Sequence, residues 1–398
     1  MNSELIPCKN SIVSDILRKC FEKKTLSKEE ILLLLESKED RSLFHVASFL
    51  KEIYKKKTIT YSRKIFINIT NLCKDFCSYC TYRKDPYHQQ AVMMYPNEIL
   101  ELAEKGKKYK CTEALIVSGE RPEERYKEAK DWLRSLNFKS TAEYVSNISE
   151  KITKKTGLLP HSNLGNISKQ EMKMLKDYNV SLGLMLESST YRLREKGMAH
   201  EYAPSKDPGI RLETIENAGI LKIPLTTGLL IGIGENIEEI IDSILLIGNI
   251  NSKFGHIQEI ILQNFRPKTN TKMHNMPPPE DNLFLRLVAI SRILLPTMNI
   301  QIPPNLSPLN YSSFIDAGIN DWGGISPVTV DHVNPEFAWP DIKDIKKNTR
   351  SKNQILRARL PIYPEFIKKE FINPTLENYI DNLMDKDGLV KEEYLNEF

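Results

Sequence analysis

The chain predicts an α/β fold, a (β/α)8 TIM-like barrel with a helical N-terminal extension and a C-terminal cap. Two observations carry this expectation. Short apolar strand candidates alternate with amphipathic helix candidates, the order of β/α units around a parallel sheet. Polar and glycine-rich residues recur just after those strands, at the edge where such barrels gather their chemistry. The expected division is a helical extension over 1–60, the barrel over 61–340 and a helical segment over 341–398.

Taken in order, residues 1–60 carry Lys, Glu and Leu with little glycine, and Ser27 with Glu30 forms a capping box ahead of Ile31–Leu35. A first strand, Lys64–Thr70, runs straight into a cysteine loop. Pro96 opens a helix whose Ile99, Leu102 and Ala103 share a face, with Gly106 near its end, and strand two follows at Glu113–Val117. Helix Thr141–Lys155 spaces Tyr144, Ile148 and Ile152 at helical intervals before Gly157, and strand three lies near Leu158–Ser162. Ser168 and Glu171 cap the next helix, which leads to strand four at Ser181–Leu186. Asp207-Pro208 starts a helix ending near Gly219, followed by strand five at Leu225–Ile231 and strand six at Ile257–Asn264. Asn299–Pro303 and a shorter Ser313–Ala317 complete the count, and beyond residue 340 the chain turns lysine-rich, punctuated by Pro361, Pro364 and Pro374.

Composition narrows the function classes. The 398 residues are 40% hydrophobic and 27% charged, enough for a large core, and the net charge of +4 is interspersed, so no nucleic-acid surface is expected. MNSELIPCKN has an early Glu4 and no apolar signal-peptide core, and the longest apolar run, Leu225 to Gly234, is about half of a membrane-spanning helix. A soluble, cytoplasmic protein with no membrane partner is the expectation, in a compartment that keeps thiols reduced.

Chemistry concentrates in NITNLCKDFCSYCTYRKDP, where Cys73, Cys77 and Cys80 supply three thiolates and no fourth. A [4Fe–4S] cluster normally takes four thiolates, so this C-x3-C-x2-C loop points to a cluster with one iron left open for a reactant. A Cys3His zinc site completed by His88 is the alternative, and a disulfide framework is weaker because Cys8, Cys20 and Cys111 are scattered. An iron–sulfur electron carrier would need its fourth iron ligated. Gly232-Ile-Gly234 lacks the third glycine of a dinucleotide fingerprint, since Ile237 stands there, and it follows the fifth strand rather than the first.

Beyond the cysteines, the runs SGERPEERY (118–126), GLLPHSNLG (157–165), GLMLES (183–188), DPGIRLETIENAGILKIPLTTGLLIGIGE (207–235), HIQEIILQNFRPK (256–268) and DAGINDWGGISPVTVDHVNPEFAWP (316–340) resemble one family. It is the G-subunit family of 7,8-didemethyl-8-hydroxy-5-deazariboflavin (FO) synthase, within the radical S-adenosylmethionine (SAM) superfamily. The alternatives within the superfamily are the H subunit and menaquinone-pathway enzymes. The resemblance implies that Cys73, Cys77 and Cys80 hold a [4Fe–4S] cluster whose fourth iron takes the amino and carboxylate groups of SAM. It implies that Tyr79 packs near the adenine, and that Ser118-Gly119-Glu120 forms the turn meeting the methionine amino group, with Ser118 in place of the usual glycine. Glu187 is expected to bind ribose hydroxyls, Arg211 the methionine carboxylate, and Gly228, Ile231 and Gly232 the adenine.

The implied reaction is a lyase step of deazaflavin coenzyme biosynthesis. 5-Amino-5-(4-hydroxybenzyl)-6-(D-ribitylimino)-5,6-dihydrouracil closes to FO with release of ammonia, methionine and 5′-deoxyadenosine. Its expected partners are the H subunit, which makes that substrate, and a one-electron reductase. Ring closure and ammonia loss ask for proton transfers, for which Glu120, His161, Asp331 and His332 are the candidates by residue type and strand-end position. Gln263, Asn264 and Arg266 offer amides and a guanidinium to a uracil edge and ribityl hydroxyls, and Trp322 a ring for stacking.

Overall fold

A computed structural model describes residues 8–22, 24–308 and 310–395, so Glu4 and the first residues of the expected extension lie outside the described residues. The strands are β1 (Thr58–Thr70), β2 (Glu113–Ser118), β3 (Leu159–Asn163), β4 (Ser181–Gly183), β5 (Leu225–Ile231), β6 (Ile257–Asn264), β7 (Ile300–Gln301), β8 (Asp321–Ile325) and β9 (Ile355–Arg359). Each of the first eight pairs in parallel with the next, and β1 pairs with both β2 and β8, so the sheet closes into a barrel. Residue alternation in β1 sets the two sides of the wall. Ile59, Tyr61, Ile65, Ile67 and Ile69 are buried in the hydrophobic core, whereas Lys64 and Phe66 line the lumen.

Helices α1 (Ser11–Phe21), α2 (Lys28–Glu36) and α3 (Asp40–Lys55) precede the barrel. The Ser27–Glu30 capping box of α2 is reciprocal, with Glu30 N donating to Ser27 Oγ at 3.2 Å and Ser27 N to Glu30 Oε2 at 2.9 Å. Arg286, on the helix Asp281–Leu294, locks this layer to the barrel through Asp40 at 2.7 Å and the Leu34 carbonyl at 2.7 Å. Among the described residues no helix is long and apolar enough to cross a membrane.

Three expectations need correction. Ser313–Ala317 holds a helical turn, Ser313–Asp316, and the eighth strand is Asp321–Ile325. The Asp-Trp-Gly-Gly run has poor intrinsic strand preference; its strand form comes from pairing with β1 and β7. β4 and β7 are also shorter than expected, because the chain leaves the ladder soon after entering it. The segment after residue 340 contributes a strand as well as helices. β9 pairs with Thr58–Ser62 of β1, while β2 pairs with β1 from Lys64 onward, so β9 continues the β2 position at the N-terminal end of the barrel.

That placement builds a floor. Arg359, at the end of β9, donates to Asp321 of β8 at 2.6 and 3.1 Å and to Glu259 of β6 at 2.9 Å. Tyr363 donates to Glu259 at 2.5 Å, and the Pro361 carbonyl accepts from Ser181 at 2.5 Å and Gln258 at 3.3 Å. The C-terminal segment therefore closes the barrel from below, and the opposite end carries the cysteine loop.

Candidate active site

The cysteine loop leaves the carboxyl end of β1 and is pinned along its length. Lys74 N donates to the Glu120 carbonyl at 2.7 Å, Phe76 N to Tyr202 O at 2.9 Å, and Ser78 N to Ala199 O at 2.9 Å. Gly119, after β2, is pressed against the loop: a Cβ there would sit 2.0 Å from Leu72 O and 2.8 Å from Cys73 Cβ. The following Glu120 N donates to Cys73 Sγ at 3.2 Å.

Cys73, Cys77 and Cys80 are partly buried and all three are free thiols. Burial pushes the Cys73 and Cys77 thiols up, Cys77 to about 12; Lys206 opposes the shift at Cys77, while Asp75 and the neighbouring thiols raise both. Thiolates crowded in this way need a cationic partner to be stable, which is what cluster iron provides. Among the described residues no group of three His, Cys, Asp or Glu side chains is placed to hold a single metal ion. His88 is exposed and its Nδ1 accepts from Gln90 N at 3.0 Å. The donor set fits a three-thiolate [4Fe–4S] cluster.

Around this loop, Tyr79 OH meets His200 Nε2 at 3.1 Å, and its ring packs on an apolar patch of Leu193, Ile233 and Phe265. Gly232, at φ +99°, and Ile233 give their amides to the Glu235 carboxylate at 2.5 and 2.9 Å, which shapes the turn after β5 beside Tyr79. Ile231 is buried at the strand end. Gly228 lies within the sheet, where a Cβ would be 2.1 Å from Ile261 O, so its bare face is taken by β6. Glu187 has φ +64° and pairs with Lys206 at 2.6 Å. Arg211 Nε donates to Ser205 O at 3.1 Å, a second nitrogen donates to Met185 O, and its third lies 3.8 Å from Glu120. Both Glu120 oxygens accept from Asn166 N at 3.1 Å; burial raises this carboxyl to about 7 while Arg211 opposes the shift. Ser118 is buried, with its hydroxyl on the Gly119 carbonyl at 3.0 Å.

Below the loop the lumen holds a cavity of about 280 Å³, bordered by Glu187, His161, Gln263 and Asp331 among the predicted residues. His161 Nδ1 meets Ser181 Oγ at 2.6 Å, and burial lowers its pKa to about 4, so the ring is neutral. Asp331 accepts from Asn305 at 3.0 Å and from the amides of Val333 and Asn334 at 2.9 and 3.1 Å. His332 packs edge-on to Phe66 at 5.0 Å.

The structure does not bring Asn264 and Arg266 to this cavity. Alternation along β6 points Gln263 inward and Asn264 outward, and both Asn264 and Arg266 bind the turn after β7 through Leu306 O, at 3.3 and 2.7 Å. Trp322 borders the cavity, but its indole N–H is committed to Thr349 at 3.1 Å and its ring packs edge-on against Tyr311, the arrangement of a packing tryptophan. Sequence reasoning missed Lys64, Asn163, Gln301 and Trp339 in the cavity wall, and His200 and Lys206 at the mouth. The polar alternation of Thr60, Ser62 and Lys64 in β1 was the signal for the first of these.

Comparison with known proteins agrees with this geometry. The Radical SAM superfamily model matches residues 67–247. The chain is 42% identical to 7,8-didemethyl-8-hydroxy-5-deazariboflavin synthase of Methanopyrus kandleri over 84% of this chain and all of that protein. It is 41% identical to FO synthase of Streptomyces coelicolor over 84% of this chain and 40% of that longer protein. The fold matches the [FeFe]-hydrogenase maturase HydG of Carboxydothermus hydrogenoformans with a TM-score of 0.73 at 21% identity, over 96% of this chain and 88% of that one. With its cysteine loop at the mouth of a closed parallel barrel, the chain belongs to the 7,8-didemethyl-8-hydroxy-5-deazariboflavin synthase family of the radical SAM superfamily.

Proposed function

We propose that this chain converts 5-amino-5-(4-hydroxybenzyl)-6-(D-ribitylimino)-5,6-dihydrouracil to FO with release of ammonia, methionine and 5′-deoxyadenosine. The observation that carries the reading is the placement of a three-cysteine loop over a lumen cavity lined by amide, carboxylate and imidazole groups, in a chain of this family. Cys73, Cys77 and Cys80 would hold the cluster; Tyr79 and Gly232 flank the adenine position, Glu187 the ribose, and Arg211 with the Ser118–Gly119 turn the methionine end. The cluster and SAM, when bound, supply a one-electron cleavage that releases methionine and a 5′-deoxyadenosyl radical.

Every other demand falls on the chain. A primary alkyl radical takes hydrogen from almost any nearby C–H, so the substrate must be held in one orientation with water kept away. The apolar patch under Tyr79 serves the second need, and the rigid strands bearing Gln263 and His161 serve the first. Neutral His161, Asp331, His332 and Glu120 are the groups proposed to move protons as ammonia leaves. An H-subunit partner, a one-electron reductase and a cytoplasmic setting complete the proposal. The 40% coverage of the longer Streptomyces protein supports the partner, since the remainder of that protein is room for a second activity.

Anaerobic reconstitution, followed by incubation with reductant, SAM and the H-subunit product, tests the reading. Both 5′-deoxyadenosine and fluorescent deazaflavin are expected. 5′-Deoxyadenosine without deazaflavin would discard the substrate and keep the radical chemistry; neither product from a protein with an intact cluster would discard both.

A further inference from the structure

Lys64 is a cavity residue to which the reading above gives no task. It is 7% exposed on β1, and its ammonium lies 5.1 Å from the Phe66 ring centre and 4.8 Å from that of Trp339. Glu113 from β2, Glu259 from β6, Asp331 after β8, Arg359 from β9, and the His161 and His332 rings all face it. Its acidic neighbours are committed elsewhere: Glu113 accepts from Ser62, Asp331 from Asn305 and two backbone amides, and Glu259 from Arg359 and Tyr363. Among the described residues Lys64 therefore has aromatic faces but no hydrogen-bonded anion. Gly324 of β8 leaves its path open, since a Cβ there would come within 2.3 Å of Lys64 Cδ and 2.7 Å of Nζ.

A buried ammonium without an anion is costly, and burial does lower the pKa of this one. Such a group in a cavity is best explained by a ligand that completes it. Elsewhere in the lumen wall, Gln263 of β6 and Asn163 of β3 carry amides suited to an imide edge and ribityl hydroxyls. The cation between two aromatic rings suits the other end of the molecule.

We propose that Lys64, flanked by Phe66 and Trp339, binds the aryl oxygen of the hydroxybenzyl group and holds it as an oxyanion in the tricyclic product. This rests on the function proposed above. Ring closure conjugates that hydroxyl with the pyrimidinedione carbonyls, making it a stronger acid than the starting phenol. A cation at this position therefore favours the closed ring over the open one.

The test is a titration of FO into the reconstituted full chain without reductant or SAM, followed by absorbance at a pH where free FO is a mixture of phenol and phenolate. Wild type should bind FO with the phenolate spectrum, and Lys64→Met should bind it about tenfold or more weakly, with a mixed spectrum. An FO analogue lacking the hydroxyl should bind both proteins equally. FO bound to wild type with the spectrum of the free mixture, or equal affinity in Lys64→Met, overturns the proposal and leaves the synthase reading standing. FO that is neither bound nor formed overturns both. Thermal unfolding separates a packing role: an unpaired cation awaiting a ligand predicts that Lys64→Met keeps or raises the Tm, whereas a lowered Tm with unchanged FO affinity overturns the proposal.

Discussion

At the mouth of the barrel, the three cysteines come from one loop as free thiols, with the charge of Lys206 acting on Cys77. At the floor, Arg359, Glu259 and Asp321 come from three strands far apart in sequence, and every Arg359 nitrogen is occupied, the last by the Leu360 carbonyl at 3.1 Å. The cysteines leave their valences for a cofactor, whereas the floor satisfies its own. The contrast separates chemistry from stability: losing a mouth residue should remove activity with little change in folding, and losing a floor residue should do the reverse.

The largest expected effect is at the mouth. Cys73→Ala removes one of three thiolates, so 5′-deoxyadenosine formation should fall to background and iron content drop, while the apo-protein Tm stays close to wild type. Iron analysis beside thermal unfolding checks both halves. At the floor, Arg359→Met leaves Glu259 and Asp321 buried without their cation and should cost about 3–5 kcal/mol. Iron bound per folded molecule should be unchanged; a Tm equal to wild type would dissolve the contrast.

Acid should probe the buried lumen next. Burial holds His161 neutral, lowering its pKa from 6.5 to about 4. Because the folded value is below the unfolded one, this stability is complete above about pH 6.5 and is lost as pH falls toward 4, amounting to about 3 kcal/mol. Denaturant titrations across that window should show the decline, and His161→Gln should flatten it. The smallest effect belongs to the outer surface. Lys154 and Glu150 pair at 2.6 Å with side chains 58% and 37% exposed, so denaturant titration of Lys154→Ala should find stability close to wild type.

Much of the wall was legible in advance. β5 and β6 fall on the expected Leu225–Ile231 and Ile257–Asn264, where the short apolar runs Leu229–Ile231 and Ile260–Leu262 mark buried strands between helix signals. The capping boxes at Ser27 and Ser168 also form as read, because each needs only residues three apart. β8 was missed because two glycines in Asp-Trp-Gly-Gly-Ile hide a strand that long-range pairing imposes. β9 was missed because Ile-Leu-Arg-Ala-Arg is short and charged, and the Asp321 and Glu259 carboxylates that Arg359 needs lie on other strands.

By itself, then, the amino-acid order determined the three-thiolate loop, the succession of β/α units and the helix starts. Hydrogen-bonding side chains and periodic apolar residues act over a few positions, so their outcome is written where they stand. Only the tertiary structure decided that Asn264 and Arg266 turn away from the cavity, that Trp322 commits its indole to Thr349, that Lys64 faces inward between Phe66 and Trp339, and that Arg359 seals the floor. Those outcomes depend on closing the sheet, because desolvation and charge pairing follow distance in space, and distance along the chain does not reveal it.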